Sequence, residues 1–152
     1  MVVFKNRYLL MEILWFGTPL AESSSILTPS VVSAAIQESL VLTFGDHGLG
    51  SSLPSLQVKY VNPITSLCLI RCSRQEYQKV WCAISYATSL RKHPVVFNLL
   101  DLSGNIKSSQ KIIPKCEAEK LKHLKLKLGA SLTSAQLEAA NSITQRALSI
   151  EG

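Results

Sequence analysis

The chain is poor in the groups that most enzymes rely on. Its three histidines, at positions 47, 93 and 123, stand far apart, and ten aspartates and glutamates are scattered over 152 residues. Serines are plentiful, but no Gly-x-Ser-x-Gly elbow accompanies them, so neither a serine nucleophile with its partners nor a carboxylate pair is evident. Four cysteines occur without any Cys-x-x-Cys pair, which argues against a zinc ribbon or a dithiol redox centre. Cys68 and Cys72 lie four apart in a run that reads as a strand, about 13 Å at roughly 3.3 Å per residue and beyond disulfide reach. Buried, reduced thiols of a cytosolic or nuclear protein are the expected state. Apolar runs are short as well, and none approaches the ~20 residues of a membrane span. Tyr8 to Phe16, preceded by Lys5 and Arg7 and followed by Thr18-Pro19-Leu20-Ala21, imitates a secretory signal. Glu12 interrupts it, and its composition equally suits a strand.

What is present is apolar and basic. Hydrophobic residues make up 47% and charged residues 17%, the balance of a globular chain and not of a disordered one. The length suits a single domain, residues 1–152, able to bury a core without staples. A net charge of +6 and a pI near 9.3 favour an anionic partner, nucleic acid ahead of an acidic membrane surface.

Periodicity orders the elements. Phe4 to Trp15 reads as a long strand with Tyr8, Leu10 and Leu14 on one face and Leu9, Met11, Ile13 and Trp15 on the other, hence central and covered on both. A polar loop, Gly17 to Leu27, precedes Thr28-Pro29, an N-cap with proline at the first helical position. That helix is expected to run to about Phe44, followed by a glycine-rich connector, Gly45 to Ser52. The connector lies after a helix and before a strand, the reverse of a phosphate loop. Leu56 to Val61 and Leu67 to Cys72 form a hairpin about Asn62-Pro63, with Tyr60 packing in the core beside Leu56 and Val58. A Ser73-Arg74-Gln75-Glu76 capping box opens a helix from Arg74 to about Arg91 with Trp81 in its core stripe. Val95 to Leu102 is the fourth strand. A lysine-rich helix from Asn105 to Leu128 comes next, and a second box at Thr133-Ser134-Ala135-Gln136 opens a last helix to Ile150.

Strand, helix, strand, strand, helix, strand is the α+β ferredoxin-like split βαβ (βαββαβ): an antiparallel sheet with helices on one face. Here it spans residues 1–104, with C-terminal helices over 105–152. The fold serves enzymes, ligand sensors and RNA binders alike. Acylphosphatases share it, but their arginine-bearing loop after the first strand is missing.

The positive signal is cationic. Phe4-Lys5-Asn6-Arg7-Tyr8 sets two cations among two rings, and Lys59, Arg71 and Arg74 lie in or beside the hairpin. Lys107 and Lys111 come after Ser103-Gly104, where a helix N-terminus adds amide donors suited to phosphate. Later lysines (Lys115, Lys120, Lys122, Lys125, Lys127) read equally well as a solvated helix face. The third strand is almost wholly aliphatic, so recognition by phosphate and shape is expected in place of base stacking across the sheet.

Five short motifs in order, Phe4-Lys5-Asn6-Arg7-Tyr8-Leu9-Leu10, Val58-Lys59-Tyr60-Val61-Asn62-Pro63, Arg71-Cys72-Ser73-Arg74, Phe97-Asn98 and Ser103-Gly104-Asn105-Ile106-Lys107, resemble the Pop-five protein subunit family of ribonuclease P and RNase MRP, its plant-type members above all. The resemblance implies a non-catalytic subunit of a ribonucleoprotein that removes the 5′ leader of precursor tRNA and, in MRP, processes rRNA. Catalysis would belong to the RNA and its Mg²⁺, with no cofactor on the protein. The protein would brace that RNA, meet precursor tRNA only indirectly, pair with a barrel-fold subunit, and reside in the nucleus, in the nucleolus above all. The family carries a small hydroxyl or thiol residue and often arginine where Asn105 and Lys107 stand; lysine keeps the charge and loses the bidentate fork. On this reading Lys5, Arg7, Lys59, Arg71, Arg74, Lys107 and Lys111 meet RNA. Two other readings are a ferredoxin-like ligand-sensing or oligomerisation module using the Gly45 to Ser52 loop, and a secreted protein with a cleaved N-terminus.

Overall fold

The apolar run near the N-terminus is the central strand, and the rest of the fold is built outward from it. In the computed structural model, which describes residues 5–128 and 134–150, this strand (β1, Asn6–Trp15) pairs antiparallel with β3 (Leu67–Ser73) and with β5 (His93–Ser103). The hairpin partner β2 (Gln57–Asn62) borders β3, and a two-residue β4 (Ser89–Leu90) borders the start of β5, giving the order β2-β3-β1-β5-β4. Helices α1 (Leu20–Ile26) and α2 (Pro29–Ser52) connect β1 to β2, and α3 (Tyr77–Tyr86) connects β3 to β4. Helices α4 (Ile106–Leu128) and α5 (Ser134–Ala147) come after β5. This is the expected ferredoxin-like α+β arrangement with C-terminal helices added.

Alternation along β1 supplies two cores. Leu9, Met11 and Ile13, with Ile70 and Cys72 of β3, meet Ile36 and Leu40 of α2 and Val80 and Ile84 of α3. Tyr8 and Leu10, with Leu69 and Tyr60, face the other way and meet Ile113 of α4 and Ala147 of α5. The lysine-rich C-terminal segment is thus a second helical layer on the same sheet.

Several local expectations need correction. Gly17 to Leu27 contains a helix, α1, whose weak Ser-rich propensity is offset by burial of Ser23 and Leu27 and by Glu22 in its first turn. The Gly45 to Ser52 segment is no open connector. Gly45 alone leaves helical geometry, at φ 72° and ψ −173°, and the chain then resumes the helix to Ser52. Gly48 in that second piece lies so close to Phe44 that a Cβ there would stand 2.3 Å from the Phe44 Cβ. Ser73 stays in the sheet, its N–H donating to the Ser55 hydroxyl at 3.0 Å, so α3 starts at Tyr77 without the expected box. The helix also ends at Tyr86, because Ser89 and Leu90 pair with the start of β5 across a turn in which Arg91 and Lys92 both take positive φ. Trp81 is half-exposed; Val80, Ala83 and Ile84 fill the core instead.

Tyr60 is buried as expected, but on the face opposite Leu56 and Val58. Val58 sits across from Ile70 and Tyr60 from Leu69, which leaves Lys59 as an extra residue in the strand. Such a bulge inverts the alternation beyond it. Phe4, expected to open the first strand, and Thr133, expected to cap the last helix, lie outside the described residues.

Candidate nucleic-acid interface

One end of the sheet, where β1 begins and β3 and β5 end, collects most of the candidate cations. The register sets Asn6 opposite Ser73 and Tyr8 opposite Ser103, which brings the Arg74 N–H to the Lys5 carbonyl at 2.9 Å. Arg7 lies between the two strand exits. Its Cζ stands 6.0 Å from the centre of the Tyr77 ring, and its Nη1 donates to the Asn6 carbonyl at 3.2 Å. On the other side Arg7 presses on Gly104, where a Cβ would come 3.0 Å from Nη1. A guanidinium held this way loses less side-chain entropy when it meets a ligand than a free arginine does.

Past Gly104 the chain turns into α4. The Ser103 hydroxyl accepts from Asn105 N at 3.1 Å, and Asn105 Oδ1 accepts from Lys107 N at 2.9 Å, a side-chain cap for the helix. Lys107 is therefore presented at the capped N-terminus of α4, with Lys111 one turn on, both exposed. Lys5, Arg7, Arg74 and Lys107 share this end of the molecule, and Lys111 extends it. Arg71, opposite Tyr8 in the register, belongs to the same end but is turned aside, and Lys59 lies farther along the edge strand. Half-buried Arg71 donates from Nε to the Ser55 carbonyl at 3.4 Å, and half-buried Lys59 occupies the bulge on edge strand β2. The acid nearest the cluster in sequence, Glu76, binds Lys79 at 3.3 Å and accepts from Ser51.

Beneath the cations lie two buried thiols, Cys68 and Cys72. Burial pushes the Cys72 thiol up to about 12 against the opposing pull of Arg7, and burial does the same to Cys68. Such thiols stay protonated at neutral pH and are poor nucleophiles. All four cysteines are free, and no group of three His, Cys, Asp or Glu among the described residues could hold a metal ion. Among the same residues no helix is long and apolar enough to cross a membrane.

A buried polar network, which no sequence motif announces, holds the hairpin tip. Glu117 of α4 is 1% exposed; it accepts from the Tyr60 hydroxyl at 2.8 Å and from Asn62 Nδ2 at 3.0 Å. Asn62 also donates to the Ala140 carbonyl of α5 at 3.3 Å, and its Oδ1 accepts from Ile64 N at 3.1 Å to close the turn after Pro63. Burial raises the Glu117 carboxyl above its ordinary range, opposed by those donors and by Lys120. Burial and then the neighbouring Glu117 raise the Tyr60 phenol.

Against known proteins, a model of the Rpp14/Pop5 family matches residues 7–114. The chain belongs to the Rpp14/Pop5 family. The match takes in Arg7, Lys59, Arg71, Arg74, Lys107 and Lys111 and ends before Glu117. A protein of Arabidopsis thaliana described as probable ribonuclease P/MRP protein subunit POP5 is 49% identical over 128 residues, 79% of this chain and 82% of that protein. The subunit POP5 of Schizosaccharomyces pombe is 38% identical over 116 residues, covering 72% and 84% respectively. Its human counterpart is 32% identical over 117 residues, covering 74% and 70%. The greater identity to the plant member agrees with the plant-type motifs. A chain from the cryo-EM structure of yeast ribonuclease MRP shares the fold, with a TM-score of 0.53 at 14% identity over 80% of this chain and 98% of that one.

Proposed function

We propose that the protein is a non-catalytic subunit of ribonuclease P or RNase MRP that braces the RNA of the ribonucleoprotein through phosphate contacts. One observation carries this reading: Lys5, Arg7, Arg74 and Lys107 gather at one end of the sheet in a member of a family whose relatives are named as subunits of those particles. Arginine offers a planar fork to phosphate, lysine a point charge, and the start of α4 the favourable end of a helix dipole. Lys59, Arg71 and Lys111 extend the surface along its flanks. Cleavage of the precursor tRNA leader, and rRNA processing in the MRP case, are assigned to the RNA with its Mg²⁺, while a barrel-fold protein partner and a nucleolar location complete the proposal.

The test is binding of the reconstituted protein to the ribonuclease P and MRP RNAs across a salt series. Arg7→Ala, Arg74→Ala and Lys107→Ala should each weaken binding about equally for unrelated sequences and flatten the log–log salt slope by about one unit. An unchanged slope in all three would sink the phosphate-bracing role. Immunoprecipitation of the tagged protein, with the bound RNA sequenced and a fluorescent fusion imaged, tests the particle and the location.

A further inference from the structure

Helix α4 leaves part of the sheet's second face bare. Its Ile113 covers Tyr8 and Leu10, and its Lys120 reaches Glu12 Oε2 at 3.3 Å. Two residues further along β1, Leu14 is 38% exposed, and its cross-strand neighbour Val96 on β5 is 44% exposed. Between this bare strip and α4 runs a trough of two adjoining cavities of about 240 and 330 Å3, which share Lys120, Leu124 and Lys127 along the helical wall. His123 lines the second, and Leu14 and Trp15 line the first.

We propose that this trough is a second RNA-binding surface, one that takes an unpaired segment with a base against Leu14 and Trp15, at the strand end that continues into Phe16, and phosphate on Lys127. The proposal rests on the RNA-subunit reading only for the kind of ligand; the geometry is its own. Its floor is apolar and partly aromatic, and its wall is cationic, the combination that single-stranded nucleic acid prefers. The indole N–H of Trp15 is bonded to the Ser66 hydroxyl at 3.0 Å, and the ring sits edge-on to His93, so it is already oriented. Phe16, outside the lining itself, directly follows Trp15 at the end of β1 and is 57% exposed, a second ring beside the mouth. Among the described residues Glu12 is the one acid lining the two cavities, and it accepts from Lys120 and from Asn98 Nδ2 at 3.2 Å, so its charge is met within the protein and Lys127 is the cation that faces a ligand. From Arg7 to Leu14 is seven residues of strand, about 23 Å at roughly 3.3 Å each, so the two surfaces meet different nucleotides.

The experiment uses the full chain with a 12-nucleotide oligo(U), an RNA duplex, and the ribonuclease P RNA. Ultraviolet cross-linking followed by peptide sequencing should place adducts at Trp15 or Phe16 and at His123. Phe16→Ala should weaken oligo(U) binding roughly tenfold, and Lys127→Ala should lower its salt slope by about 0.7. Duplex binding should hold in both. Both side chains are exposed, and an unchanged melting temperature confirms that the variants fold. Cross-links confined to the Lys5, Arg74 and Lys107 end, with both variants binding as the parent does, overturn the trough and leave the bracing role standing. Loss of duplex and oligo(U) binding in equal measure overturns the preference for unpaired RNA. If a protein partner shields the trough from chemical footprinting while the RNA alone does not, the surface belongs to that partner and the proposal fails. No RNA bound by the parent chain overturns both readings.

Discussion

Glu117 shows what a single residue can demand of its surroundings. A glutamate in a lysine-rich helix reads as a solvated charge, and nothing local in the sequence marks it as buried. Its burial follows from α4 packing on the sheet, a tertiary event. The carboxyl is raised from its reference value of 4.5 chiefly by burial, so the protonated form favours the folded state. That contribution is complete below about the reference value and fades as pH rises through the folded value. Glu117→Gln keeps the volume and the acceptor for Tyr60, removes the titration, and sets one amide donor against Asn62, at a cost of about 1 kcal/mol. Urea midpoints at stepped pH should show the parent losing stability relative to this variant between pH 4.5 and neutrality. A constant difference would mean that the carboxylate is not desolvated. Glu117→Ala takes the carboxylate acceptor from the Tyr60 hydroxyl and one of the acceptors from Asn62, and about 3 kcal/mol should be lost at acid pH, the loss shrinking as pH rises because the variant no longer titrates there.

At the level of elements, those that declare themselves by strong periodicity were legible: β1, both arms of the hairpin, the first part of α2 and β5. The misses share a cause. Helix α1 and strand β4 are seven and two residues long, too short for a periodic signal, and they form because Leu27 and Leu90 are drawn into the core. The continuation of α2 beyond Gly45 was hidden by glycines that usually end helices; here one makes the kink and another permits close packing. The lysine-rich stretch that forms α4 was legible as a change of composition, but the docking of α4 and α5 on the sheet was not. Removal of everything after Gly104 should therefore be severe. Tyr8, Leu10, Tyr60 and Leu69 would lose their cover, and at about 1.5–3 kcal/mol per large side chain that loss rivals the ~5–15 kcal/mol that holds a domain together. Dye binding and a lost near-ultraviolet signal should report an unfolded or molten chain; a cooperative melt would show that the sheet stands without its second layer.

For the whole molecule, the fold class followed from element order alone, whereas the candidate interface was only half legible. Sequence could mark Lys5, Arg7, Arg74 and Lys107 as basic, and their convergence needed the register that sets the start of β1 between the ends of β3 and β5. Arg71 carries the same charge at the same end, yet its Nε is turned to the Ser55 carbonyl, a contact that charge pattern alone does not announce. The extra residue at position 59 has a consequence of a different kind. It lets one strand feed both layers, with Val58 and Val61 toward α2 and α3 and Tyr60 toward Glu117. Charge and count are therefore separable at that position. Lys59→Ala should fold as the parent does and lose at most some affinity for RNA. Deletion of residue 59 should turn Tyr60 away from Glu117 and collapse the thermal transition, as circular dichroism would record. Homologous chains can vary the side chain there, but a chain one residue shorter in that strand would have to find another way to join its two halves.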